Sequence, residues 1–181
     1  MIYQPLVSKG YEWINTCDPM DYEVFWSFDG SRRAEKWKPI EVRRVRADKR
    51  QEFKASDFPW LGDHALIMRA RALEMLRGVL EPHGEILPLT TDDGVKLFVF
   101  NVTTVLDALD EDRSSIMRVP GTQKIMRIRK AAFHASLVRD AEIFRLPHRA
   151  SPTYVNRRFV DAFNRAGLVG LDFNLVWSEP S

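Results

Sequence analysis

Cysteine is nearly absent from this sequence. Cys17 is the only one in 181 residues, so no disulfide can form within the chain, and no thiolate cluster can hold zinc or iron. No apolar run reaches the roughly 18 residues needed to cross a bilayer, and the opening MIYQPLVSKGYEW lacks the charged, apolar and small-residue regions of a secretory signal. These absences point to a cytoplasmic protein without a membrane span. Phosphate-cradling GxGxxG and P-loop motifs are missing, as is the GxSxG of a nucleophile elbow. The four histidines, His64, His83, His134 and His148, never fall at i, i+4, so none shares a helix face with another. Each reads as a surface or capping histidine. No catalytic residue, cofactor or metal ligand is therefore assigned.

What is present is ordinary globular material: 45% hydrophobic and 29% charged residues, enough for one core. The net charge of +2 hides an uneven distribution. Residues 32–54 carry ten Lys/Arg against four acids, while the rest carries 17 against 21. Such lopsidedness steers encounters with charged partners. Two segments are candidate contacts. The acidic run DALDEDRS offers Asp107, Asp110, Glu111 and Asp112 to a basic partner, although it lacks the alternating oxygen donors and central glycine of a calcium loop. The basic run RRVRADKR offers Arg43, Arg44 and Arg46 to an acidic one. It has no interleaved aromatics for stacking bases, so nucleic acid is a weak match. Charge alone does not rank the two. Exposed aromatics in the first third are further candidate anchors, since Trp, Tyr and Arg carry most interface energy.

Periodicity predicts an α+β fold, a single domain over 1–181 in which antiparallel hairpins pack with about three helices. The Asp29-Gly30 step reads as a hairpin turn, with a strand through Ile40, Val42 and Val45 after it. Ala65 to Met68 reads as a short strand. Leu73, Leu76 and Leu80 then form one helical stripe that Pro82 and Gly84 end. Glu85–Leu89 and Val95–Asn101 form a hairpin turned at Asp93-Gly94. A threonine, Thr103 or Thr104, caps a short helix through Leu109. A second hairpin joins 115–119 to 124–130 across Pro120-Gly121. Short extended pieces at 143–146 and 153–155 precede a helix capped by Asn156 and closed at Gly167, and Leu171, Phe173, Leu175 and Trp177 alternate along a last strand.

The order of these segments resembles a bacterial polymorphic-toxin immunity family of the myxobacterial type. SDFPWLG, LEPHGEILPL, LFVFNVTTVLDALDEDRS, IFRLP and TYVNRRFVDAFNRAGLVGLDFNLVW carry the likeness. Asn101, Val102, Asp107, Leu109, Asp110 and Ser114 fill its strand and acidic turn. Val155, Phe159, Ala166, Gly167, Leu168, Gly170, Leu171 and Phe173 fill its C-terminal block. The likeness spans residues 56–177, and 1–55 follow it only loosely. It implies a non-enzymatic inhibitor that binds a cognate toxin, encoded beside it, and occludes the toxin's active surface. It brings no catalytic residues. The alternatives are a hydrolase with dispersed catalytic residues, which would need a polar pocket holding displaced pKa values, and an RNA-binding protein using residues 32–54.

Overall fold

The elements follow the turn residues that interrupt the apolar runs. The computed structural model describes residues 1–149 and 151–179. In chain order these form β1 (Ile2–Val7), β2 (Trp13–Thr16), helix α1 (Tyr22–Trp26), β3 (Glu41–Val45), β4 (Ala47–Asp48), β5 (Gln51–Glu52), β6 (Leu66–Arg69) and helix α2 (Ala70–Leu80). There follow β7 (Gly84–Thr91), β8 (Leu97–Val102), β9 (Ser115–Arg118), β10 (Ile125–Lys130), helix α3 (Ala135–Val138), β11 (Ile143–Phe144), β12 (Tyr154–Asn156), helix α4 (Arg157–Arg165) and β13 (Leu171–Trp177).

Two sheets carry the architecture. One has the order β2-β3-β7-β8-β6, and the other β11-β12-β1-β13. Most neighbours are antiparallel, as expected of hairpins. The exception is β3 with β7, which run parallel because β4 to α2 intervene as a crossover. The protein is thus mixed α+β, richer in strand than in helix, with four α-helices among the described residues where about three were expected.

An eleven-residue helix is marginal alone, so α2 depends on its buried stripe, Ala72, Leu76 and Leu80. That stripe meets Met68, Phe100 and Val102 of one sheet and Phe159, Val160 and Phe163 of α4, whose other neighbours include Tyr3, Val155 and Leu171 of the second sheet. The outer face of the five-stranded sheet is covered by Phe25 and Phe28, packed on Ile14, Ile67 and Val99. A third cluster, around Phe133, Phe144 and Tyr154, attaches the β9–β10 hairpin to the four-stranded sheet. Asn156 caps α4, its carboxamide oxygen accepting from Arg158 N at 2.8 Å and Phe159 N at 3.3 Å, and Gly167 ends the helix at φ +59°.

Four local expectations are corrected. Residues 22–26, expected as one arm of a hairpin turned at Asp29-Gly30, are helix α1, and Gly30 (φ +94°) instead lets the chain pass Val105. Residues 103–109 are an extended loop and not a helix, because Val105 bridges Arg145 and Leu109 bridges Phe133. Their backbone groups are satisfied across the fold and not along the chain. Periodicity assigns no element to residues 2–7, yet they form β1, which lies between β12 and β13. Finally, Leu175 is exposed. The register of β1 against β13 shifts between Ile2 and Tyr3, so Val176 and Trp177 turn to the third cluster while Phe173 stays with the first.

Candidate partner-binding surface

The basic run is built into β3 and the β4–β5 hairpin, and its three named arginines have different fates. Arg44 is taken inside: its side chain is 9% exposed, donating to Glu12 Oε2 and to Asp93 Oδ2, each at 2.9 Å. Glu12, 1% exposed, also accepts from Ser56 N and is paired with Arg69. Contact through Arg44 would require this buried network to open. Arg43 is exposed and pairs with Asp92 at 3.3 Å. Arg46 is exposed, with no ion-pair partner among the described residues. The Arg44 hydrogen bond also holds the Asp93 carboxyl below its ordinary pKa.

The acidic run forms the loop and turn before β9. Asp110 accepts from Arg113 N at 3.2 Å, and Ser114 Oγ donates to Asp110 O at 2.6 Å and accepts from Ala132 N. Glu111 pairs with Arg118 of β9. Asp107 and Asp112 are exposed, with no ion-pair partner among the described residues. The acidic and basic runs are not brought together into one site. They remain separate surface features.

The structure draws attention to a third region, centred on Trp26. Two clefts flank this residue, which is 37% exposed. The smaller, about 320 Å³, is lined by Trp26, Asp29, Val105, Arg145, His148 and Arg149 among others. Arg145 is 2% exposed and has no carboxylate partner among the described residues. Its guanidinium donates to Phe28 O at 2.7 Å and Ser151 O at 3.3 Å. Burial lowers its pKa, and Asp29 and Asp63 work against that shift. Asp29 is held low by the Ser31 hydroxyl and amide, so it stays a carboxylate.

The larger cleft, about 560 Å³, is lined by Gln4, Trp26, Asp63, His64, Tyr154 and the β10 residues Met126 to Arg129. His64 is 5% exposed and stacks on Trp26 with ring centroids 4.1 Å apart, and neither of its ring nitrogens has a hydrogen-bond partner among the described residues. Asp63 stands 3.7 Å from its Nδ1 and accepts from Gln4 at 3.2 Å. Burial raises the pKa of the Tyr154 hydroxyl, keeping it protonated. His64 therefore departs from the surface or capping role expected of it. Trp26 is among the exposed aromatics of the first third. A charge count would have found the β10 side of this cleft: between Asp112 and Asp140 the chain has seven Lys/Arg and no acid. Nothing in the sequence signalled that His64 would be buried.

Among the described residues no three His, Cys, Asp or Glu side chains gather as for a metal ion, and no helix is long and apolar enough to cross a membrane. Residues 89–177 match the immunity protein family Imm11, in accord with the resemblance carried by the sequence. The matched span runs from the end of β7 through β13. No curated protein matches the chain.

Proposed function

We propose that this chain is an immunity protein acting as one domain in the cytoplasm. It binds a cognate toxin, encoded beside it, and neutralises it stoichiometrically by covering the toxin's active site or a surface the toxin needs. The family match over residues 89–177 carries this reading. Two of the residues that carry the resemblance within this span, Asn101 and Ser114, are scaffold. Asn101 is fully buried and donates to Ser31 O at 2.9 Å and Glu85 Oε1 at 2.8 Å, and Ser114 closes the acidic turn. The interface must bury about 800 Å² on each partner to be specific.

The cleft beside Arg145 holds two displaced pKa values, the feature a hydrolase would require. Asp29, however, is displaced away from neutrality by Ser31, which suits structure better than acid–base work. For RNA, residues 32–54 offer an interrupted face, since Arg44 is internal and Arg43 is paired. Co-expression with the neighbouring toxin gene tests the proposal. Restored growth with an isolable complex is expected, and continued killing without a complex contradicts it.

A further inference from the structure

Both candidate contacts read from the sequence lie outside the clefts around Trp26, yet those clefts carry the features of a docking site. Trp26 is half-exposed and is held flat against a buried imidazole, so little side-chain freedom is lost when a partner covers it. Beside it, β10 presents Arg127 and Arg129, both exposed and without ion-pair partners among the described residues. They belong to the 27-residue stretch from Arg113 to Arg139, which holds seven cationic side chains and no carboxylate. Met126, 47% exposed on the same strand, adds an adaptable apolar contact. The cleft wall also keeps two polar atoms, the His64 nitrogens, without a hydrogen-bond partner among the described residues.

From this juxtaposition we infer that the cleft between Trp26 and β10 is the docking site for an acidic segment of a partner protein, whose carboxylates pair with Arg127 and Arg129 while an apolar side chain packs on Trp26. Guanidinium groups suit carboxylates because their forked donors bind both oxygens. A continuous phosphate backbone fits less well: Asp63 lies in the same cleft and Glu23 beside the neighbouring one, so favourable contacts are discrete. That the partner is a toxin rests on the immunity reading, whereas the chemistry of the cleft does not.

The test titrates the full chain with an acetylated glutamate peptide carrying one central leucine and, separately, with single-stranded RNA of equal charge, following the Trp26 indole N–H by NMR. A chain carrying Arg127→Glu and Arg129→Glu is the control, because both sites are exposed and the fold should survive. The peptide is expected to shift the Trp26 signal in the wild type, and its binding to be weakened about tenfold or more in the double variant. Four results would overturn the inference: no peptide binding, binding that leaves Trp26 unmoved, binding indifferent to the double substitution, or tighter binding of RNA than of peptide. A wild-type dimer that the double variant dissociates would also overturn it, since a second copy would then be the occupant. The same variant is next co-expressed with the toxin. If the wild type forms a complex and the variant binds equally well, the docking site is wrong and the immunity reading stands. Should the wild type bind this peptide through Trp26 but ignore the toxin, the docking site stands and the immunity reading fails.

Discussion

Gly170 faces Ser56 so closely that a Cβ on it would lie 1.7 Å from Ser56 Oγ, and its φ of +105° is one that side chains rarely adopt. The contact joins the loop before β13 to the segment before β6. It is reinforced by Asp57, which accepts from Val169 N at 3.0 Å and pairs with Arg71. Substituting Gly170→Ala is expected to cost at least about 1–3 kcal/mol, from backbone strain before any clash is counted. Gly121→Ala also meets a positive φ, but nothing lies within 4 Å of its Cβ, so its cost should be smaller. Urea unfolding of the two variants measures the difference. Equal losses would contradict the close approach.

Glu12 is the second point of dependence. It is buried between Arg44 and Arg69, and Glu12→Ala leaves two guanidinium groups without their carboxylate. Arg44 keeps Asp93, but Arg69 loses its ion pair and Ser56 N its acceptor, so a loss of about 3 kcal/mol is expected on breaking this buried network. The expected readout is a lower denaturation midpoint with an unchanged slope. A change under 1 kcal/mol would show that the network is solvated, with Arg44 available at the surface after all.

The β4–β5 hairpin turns at Lys49 and Arg50, with φ of 45° and 72°, where Asn-Gly is the favoured pair. Replacing them with Asn and Gly should stabilise the protein by about 1 kcal/mol, because the left-handed conformation costs side chains roughly that much. Thermal unfolding checks this.

His83 provides a pH signature. It is half-buried, contacts Thr104 Oγ1 through Nδ1 at 3.2 Å, and its pKa is lowered from 6.5 chiefly by burial, with Glu142 opposing. The folded protein therefore binds this proton less readily than the unfolded chain. Stability should be full above pH 6.5, fall as the pH drops below it, and level off beneath the folded-state pKa. His83→Gln should flatten that part of the profile, as denaturant midpoints between about pH 5 and 7 would show.

The parts of the fold that were legible in the sequence are those whose stability is local. The stripe Leu73, Leu76, Leu80 marks α2, Asp93-Gly94 marks the β7–β8 hairpin, and Asn156 with Gly167 brackets α4. Illegible elements take their hydrogen bonds from afar. Residues 103–109 look helical until Arg145 and Phe133 claim their backbone, and β1, which contains Pro5, is a strand only because β12 and β13 flank it. The same holds for the surface. Arg44 reads as part of a charged face, and only the fold brings it to Glu12, 32 residues away. Trp26 and His64 are 38 positions apart and share no motif, so their stacking belongs to tertiary structure alone.

In the function proposed above, the protein works by surface complementarity with a toxin and without chemistry of its own. Titrating the toxin's activity with the purified chain tests this most directly. The account predicts that activity falls linearly to zero at one chain per toxin, and that intact toxin recovers full activity when the complex is dissociated. Complete loss of activity at a small fraction of one equivalent, with a toxin that stays inactive or altered after separation, would mean turnover and would contradict it.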